Sequence, residues 1–155
     1  MFNVVILAVG KIKEKHWQTA VREYLVRLKP YAKIVVEEIS SEPFKRESDK
    51  EKAKQNEGEK LLKALGKYSD SEIIILDEGG RELTSREFSD FFSREARRVV
   101  FVVGGSLGFG ENFAKRSFTK ISLSKMTLPH ELARVVLLEQ IYRATTIVSG
   151  KEYHY

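Results

Sequence analysis

Residues 98–110 read RVVFVVGGSLGFG, an apolar run that is followed at once by a loop with four glycines. A short apolar run without polar alternation is typical of a strand that is buried on both faces. Such strands occur in parallel sheets covered by helices, where ligands bind beyond the carboxyl ends of the strands. The stretch therefore predicts a central strand over Arg98 to Val103 and a candidate ligand loop over Gly104 to Gly110.

The segments on either side alternate in the same way between buried strands and amphipathic helices. Further strands are predicted at Phe2 to Val9, Lys33 to Ile39, Ser71 to Leu76 and Thr119 to Leu123. Helices are predicted over Ile12 to Leu28, from Ser48 to about Leu65 with Gly66 closing it, from Thr84 through Ala96, over Glu111 to Arg116, and from Pro129 to about Ser149 with Gly150 after it. The alternation predicts an α/β fold, in which a parallel-type sheet is flanked by helices, and one domain over residues 1–155.

Local signals refine the ends of these elements. Ser48 with Glu51 and Thr84 with Glu87 have the spacing of capping boxes, and Pro129 suits a first helical position. A loop, Asp77 to Arg81, is expected to follow the third strand.

The composition excludes several classes of protein. With 155 residues, 42% of them hydrophobic and 32% charged, the chain can bury a core of its own. It contains no cysteine, which excludes disulfides, thiolate metal sites and a cysteine nucleophile. Its apolar runs are far shorter than the roughly 20 residues of a membrane helix. We therefore expect a soluble, cytoplasmic protein without a signal peptide or membrane contact.

The last predicted helix is apolar around most of its circumference, from Leu132 to Val148. One face can cover the sheet, and a second copy of the chain would cover the other in a two-fold dimer. Residues 115–155 also carry seven basic and three acidic side chains, interleaved with tyrosines and histidines. This pattern suits RNA and equally suits a solvated helix face.

The glycine loop and its surroundings do not match the sequence motifs of several known ligand-binding and catalytic sites. Glu111 stands where a phosphate-binding loop needs lysine, and the glycines lack the dinucleotide spacing. Ser106 matches the G-x-S-x-G pattern of a serine hydrolase, but the glycines at 108 and 110 argue against a helix directly after it. His130 precedes Arg134, where a zinc motif needs its second histidine, so no metal site is expected.

A non-phosphate ligand with an adenine and a polar chain remains. A second loop, SLSKMTLPH over 122–130, contains hydroxyl groups, backbone amides and apolar side chains that a purine could pack against. An ordinary helix entry would have the same spacing, so both readings of this loop stay open.

Four segments together carry a family resemblance: IIILDEGG, FVVGGSLG, SLSKMTLPHELARVVLLEQIYRA and the ending YHY. The chain resembles, over essentially its whole length, the bacterial methyltransferases that modify N3 of a pseudouridine in 23S ribosomal RNA. These belong to the knotted SPOUT class. The resemblance implies a C-terminal trefoil knot, a homodimer, S-adenosylmethionine as cofactor, and a target on the assembled ribosome.

The resemblance also implies roles for particular residues. Those expected to hold the cofactor are Leu76, Gly104, Leu123, Ser124, Lys125, Met126, Thr127 and Leu128. Those expected to act in catalysis are His130, Arg143, Tyr153 and His154, with Arg134 as a further candidate. The tail is expected to lie over the partner's cofactor, and Tyr155 departs from the basic residue expected there. The alternatives are methylation of another RNA position, a serine hydrolase using Ser106, and a non-catalytic ribosome-binding protein.

Overall fold

The computed structural model describes residues 1–93 and 97–153. Within them the strands form one parallel sheet in the order β2-β1-β4-β3-β5. The elements in chain order are β1 (Phe2–Val9), α1 (Lys15–Leu28), β2 (Ala32–Ile39), α2 (Lys50–Leu65), β3 (Glu72–Glu82), α3 (Ser85–Ser89), β4 (Val99–Val103), α4 (Glu111–Ala114), β5 (Thr119–Ser122) and α5 (His130–Val148). The predicted parallel sheet with covering helices is confirmed.

Helices cover both faces of the sheet. Alternate residues of β1 and β4 pack on one face against α1, α3 and α5, where Leu137, Leu138 and Ile141 are fully buried. The intervening residues pack on the other face against α2 and α4, through Leu61 and Phe113. Every residue of β4 is buried, which explains why its sequence lacks polar alternation.

The largest departure from the predicted strands is at β3. It was expected to end at Leu76, but it continues to Glu82 with an irregularity between Leu76 and Arg81, both of which pair with Ile121. The chain passes very close to β5 here, since a Cβ on Gly80 would lie 2.6 Å from the carbonyl carbon of Ile121. Gly80 therefore permits a close passage of two strands, in place of the expected free loop.

The helix starts match the sequence in part. The capping box of Thr84 and Glu87 forms, with the Glu87 backbone N–H donating to the Thr84 hydroxyl at 3.2 Å. The box expected at Ser48 does not form, because a 3-10 turn (Glu47–Asp49) leads directly into α2. α1 begins at Lys15, three residues later than expected, because residues 11–13 are extended.

The start of α5 and the ends of α2 and α5 differ slightly from the predicted bounds. Pro129 precedes the first turn of α5 as its N-cap and not as its first residue. Gly150 adopts a φ of 65°, as a glycine after a helix end commonly does. Gly66 keeps a right-handed conformation, so α2 tightens into a 3-10 turn that runs on to Tyr68. The predicted helix position Ala96 lies outside the described residues.

None of the helices in residues 1–93 and 97–153 combines the length and the apolar composition needed to cross a bilayer.

Candidate functional site

The three strands β4, β3 and β5 are neighbours, and their carboxyl ends bring the predicted cofactor residues to one edge of the sheet. Leu76 on β3 pairs with Val103 on β4 and with Ile121 on β5. Gly104 follows Val103 directly, and Leu123 comes two residues after Ile121. The glycine loop and the 123–128 loop therefore begin on either side of Leu76, with β3 between them.

The 123–128 loop is shaped by its own hydroxyl groups. The Ser122 hydroxyl donates to the Ser124 carbonyl at 2.9 Å, and the Met126 backbone N–H donates to the Ser124 hydroxyl at 3.0 Å. Met126 is 77% exposed, an unusual position for a large apolar side chain. Leu123 and Leu128 are half-buried. The loop thus combines a fixed backbone with accessible apolar surface.

The charged and hydroxyl side chains of this loop lie at its rim. Lys125 is exposed and lies 3.7 Å from a carboxylate oxygen of Glu82 on the extended part of β3. Thr127 is exposed as well. Both side chains are exposed to solvent at the rim of the loop, Lys125 beside the Glu82 carboxylate.

The glycine loop is held in place by close contacts of its backbone. A Cβ on Gly104 would lie 3.2 Å from the Phe109 ring, and a Cβ on Gly105 would lie 3.1 Å from Val9. Gly108 has a φ of 74°, and its N–H donates to the Gly105 carbonyl to close a tight turn. The loop therefore brings backbone groups, and not side chains, to the edge of the sheet.

Ser106 lies in that same turn, where it is exposed. The next helix, α4, begins only at Glu111. A nucleophile elbow requires a helix directly after the serine, so the expectation that the glycines prevent this geometry is confirmed.

The arrangement fits S-adenosylmethionine on the chemistry of its groups. A purine needs flat apolar surface, which Leu76, Leu123 and Leu128 provide, and each of them keeps part of its surface accessible. The polar methionine moiety needs hydrogen-bonding groups, which the backbone of the glycine loop can provide without side-chain obstruction at Gly104. Among the described residues there is no group of three side chains that could hold a metal ion.

The amino-terminal end of α5 is tied into the fold. Arg134 is buried and pairs with Glu38 at 3.0 Å, and it also donates to the carbonyl of Gly10. Its donors are directed at the protein itself, which makes Arg134 a bridge between α5 and the ends of β1 and β2. His130 lies 3.9 Å from Glu131 and keeps 30% of its side chain exposed.

The carboxyl-terminal end of α5 carries a cluster of arginine and tyrosine side chains. Arg143 donates to Glu139 at 2.6 Å, and its guanidinium lies 4.8 Å from the centre of the Tyr153 ring. The hydrogen bond to Glu139 raises the pKa of Arg143, so this side chain stays charged. Burial raises the pKa of Tyr153, so its hydroxyl stays protonated at neutral pH. The Tyr142 ring packs against the Tyr153 ring at 4.7 Å.

The two ends of α5 lie at opposite edges of the sheet. Arg134 contacts Gly10, which follows β1, whereas Tyr142 contacts Tyr31, which precedes β2. His130 and Arg143 are separated by about 20 Å along the helix, at 1.5 Å per residue. Within one chain, the structure thus places His130 beside the cofactor loops and keeps Arg143 and Tyr153 away from them. His154 and Tyr155 lie outside the described residues.

The sequence did not predict three residues of the cluster around Arg143, namely Glu139, Tyr24 and Tyr31. The spacing of Glu139 and Arg143, four residues apart on a helix, is a signal that could have revealed their ion pair. Tyr24 and Tyr31 reach Tyr142 from another part of the chain, and no local pattern marks such contacts.

Fold and site together define an α/β protein that binds a ligand in loops at the carboxyl edge of a parallel sheet. A family model described as "Predicted SPOUT methyltransferase" matches residues 2–154, and the chain belongs to this family. It is 40% identical over 161 aligned residues to ribosomal RNA large subunit methyltransferase H of Desulfitobacterium hafniense, with 99% of each chain covered. The family resemblance seen in the sequence is confirmed.

Solved structures share the fold at low sequence identity. A probable methylase family protein from Haemophilus influenzae superposes with a TM-score of 0.56 at 12% identity, over 99% of this chain and 71% of that one. A Legionella pneumophila protein described as a methyltransferase, solved with the cofactor SAM bound, gives a TM-score of 0.51 at 13% identity, over 92% and 66%.

Proposed function

We propose that this protein is an S-adenosylmethionine-dependent methyltransferase that acts on large-subunit ribosomal RNA. The observation that carries the proposal is the meeting of Leu76, Gly104 and the 123–128 loop at one sheet edge, in a chain of the SPOUT family. The Desulfitobacterium relative, similar over its full length, supports the choice of RNA.

The cofactor would be held by Leu76, by the backbone at Gly104, and by the loop residues Leu123, Ser124, Lys125, Met126, Thr127 and Leu128. When bound, S-adenosylmethionine supplies an electrophilic methyl group. The contribution of the chain is to fix the loop backbone and to keep apolar surface beside it, so that little order has to be created on binding.

We propose N3 of a pseudouridine in 23S ribosomal RNA, on the assembled ribosome, as the target, and the family resemblance supports this choice. The N3 proton must leave, and a fixed cation can stabilise the anion that forms. Arg143 suits this role because Glu139 and the Tyr153 ring hold its charged guanidinium in place. Burial raises the pKa of Tyr153, so its hydroxyl is suited to donate a hydrogen bond to the target base. His130 and His154 are the candidate bases.

The protein would act as a homodimer. The cofactor loops and the Arg143 cluster lie at opposite edges of one chain, so a complete site needs the tail of a second copy. The surface of α5 supports this, because Val135, Val136 and Ile147 are only partly covered and Val148 is 39% exposed. Apolar side chains that remain uncovered on a helix are typical of an interface between subunits.

We also propose that residues 1–155 form a single domain with the trefoil knot of its class, in the cytoplasm where ribosomes are assembled. The close passage of Gly80 against Ile121 supports the knot, since it brings the extended β3 across the strand that leads to α5.

Calorimetric titration with S-adenosylmethionine tests the cofactor proposal. We expect saturable binding by the wild type and weaker binding by Gly104→Trp, because the indole would fill the space beside Phe109. Ser106→Ala should leave both cofactor binding and methyl transfer to assembled ribosomes intact. Absence of binding by the wild type at two temperatures would contradict the proposal, and loss of all activity in Ser106→Ala would favour a hydrolase.

A further inference from the structure

The segment between β2 and α2, residues 40–49, forms one wall of an open groove outside the cofactor site. The groove has a volume of about 420 Å³, and its other wall is the first part of α2, with Lys52, Ala53 and Asn56. Phe44, Lys45 and Arg46 line it from the segment side. None of these residues has a part in the proposed cofactor or catalytic site.

The groove wall is anchored, so its shape exists before any ligand arrives. The Glu42 backbone N–H donates to the buried carboxylate of Glu57 at 2.9 Å. The Glu42 side chain pairs with Lys60 at 2.6 Å, and Lys60 also donates to the Ser40 carbonyl at 3.1 Å. These contacts tie the segment to α2 just before Phe44, which favours a built surface over a loose loop.

The charges left over in this groove are mainly positive. Within residues 1–93 and 97–153, Lys45, Arg46 and Lys52 form no ion pair, and they face one acidic side chain without a partner, Asp49. The acidic side chains around them are already neutralised, by the pairs Glu42 with Lys60, Glu47 with Lys50 and Glu51 with Lys54. A polyanion fits this balance.

An aromatic ring stands among these cations. Phe44 is 40% exposed, although it is large and apolar, and apart from Pro43 the segment around it is polar. A ring face beside lysine and arginine side chains is the combination that binds single-stranded nucleic acid, in which a base stacks and the phosphates take the cations. An acidic peptide would use the cations but has no flat ring to stack on Phe44.

We propose that this groove binds single-stranded RNA next to the modified nucleotide, with a base stacked on Phe44 and phosphates on Lys45, Arg46 and Lys52. The proposal rests on the proposed function. The groove segment follows the carboxyl end of β2, and the cofactor loops follow the carboxyl ends of β4 and β5 in the same parallel sheet. β2 and β3 are three strand spacings apart, roughly 14 Å at about 4.8 Å each.

The test compares groove variants with matched controls. A fluorescent single-stranded RNA of mixed sequence and purified ribosomes serve as ligands, and S-adenosylmethionine affinity is measured on every variant. We expect Phe44→Ala to weaken RNA binding about tenfold, Phe44→Trp to retain it and Phe44→Leu to fail to restore it. Arg46→Glu should weaken RNA binding. It should also make the slope of log binding constant against log salt concentration shallower by about one. The control Lys63→Glu, an exposed lysine at the far end of α2, should bind RNA as the wild type does.

Each outcome decides the matter. Weaker RNA binding by Phe44→Ala and Arg46→Glu with unchanged cofactor affinity supports the groove. RNA binding equal to the wild type in either variant overturns it, and so does a wild type that binds S-adenosylmethionine but neither RNA ligand; both outcomes leave the cofactor site standing. Binding of polyglutamate in place of RNA, lost in Arg46→Glu, overturns it in favour of an acidic protein partner. A wild type that binds neither S-adenosylmethionine nor RNA overturns the proposed function itself.

Discussion

The two ends of α5 differ in what surrounds their arginines. Arg134, near the amino-terminal end, is buried, and it donates to Glu38 and to the Gly10 carbonyl. Arg143, near the other end, is half-buried, and it stands on Glu139 with its guanidinium against the Tyr153 ring. Arg134 therefore stabilises the fold, whereas Arg143 presents a charged group at an accessible surface.

This difference teaches how a small chain can divide one site between two copies. The amino-terminal end follows the 123–128 loop and is anchored to the ends of β1 and β2 through Arg134. The carboxyl-terminal end carries the Arg143 cation and the protonated Tyr153 phenol, about 20 Å away along the helix. Under the proposed function, a single chain would keep these two groups apart. A two-fold dimer that brings the tail of one chain to the loops of the other would unite them.

The largest expected effect comes from breaking the distal end. Arg143→Ala should lower kcat for methyl transfer to unmodified ribosomes by about 10²- to 10³-fold, because the cation for the N3 anion is lost. Cofactor affinity should stay unchanged, since Arg143 lies away from the loops. Arg143→Lys should recover part of the rate, and Lys63→Ala should keep all of it. A normal kcat in Arg143→Ala would contradict the role.

The next effect concerns the strand passage that builds the cofactor edge. Gly80→Val should reduce the free energy of unfolding by about 3 kcal/mol, because its side chain would collide with the backbone of Ile121 and Lys120. The measurement is urea denaturation. Gly66→Ala is the matched control, since no atom lies within 4 Å of that position, and it should change stability by less than about 1 kcal/mol. Equal stability of the two variants would disprove the close passage.

A smaller effect is expected from the buried arginine. Arg134→Met should cost about 2 kcal/mol of unfolding free energy, less than a fully buried pair, because Glu38 is 36% exposed and partly solvated. Arg22→Met, on the exposed side of α1, should cost almost nothing. If Arg134→Met unfolds like the wild type but loses activity, the arginine acts in the site and the contrast between the two ends fails.

The smallest effect is a pH dependence at Glu57. Burial raises the pKa of this carboxyl group above its ordinary value of 4.5, so the folded protein holds the proton at a higher pH than the unfolded chain. The resulting stability is complete below the unfolded pKa and is lost as the pH rises through the folded pKa. Glu57→Gln should remove this part of the pH dependence, and Glu59→Gln, exposed on the same helix, should not. Parallel stability curves for all three proteins would refute the shift.

Strong local signals predicted much of the fold. β1 has the predicted bounds, and the Thr84 capping box forms, because both depend on residues close in sequence. The extension of β3 could not be predicted, since Gly79 and Gly80 indicate a free turn locally. The end of β3 forms a strand because it pairs with β5, which lies some 40 residues further along the chain.

The candidate site divides in the same way. The rule that ligands bind beyond parallel strand ends located Gly104 and the 123–128 loop, which the structure brings to one edge. The environment of Arg143 depends on Tyr153, five residues beyond the end of α5, and on how the tail folds back. Charge patterning alone could not separate this arginine from Arg134, because burial decides their difference.

Mixing two inactive variants tests the shared site most directly. Gly104→Trp is expected to block the cofactor site, and Arg143→Ala removes the guanidinium at the other end of α5. The two variants are unfolded together in equal amounts and then refolded. Half of the dimers would then be mixed, each with one intact composite site, so activity should return to about a quarter of the wild type. Mixtures that stay as inactive as their separate components, although mixed dimers form, would contradict a site shared between chains.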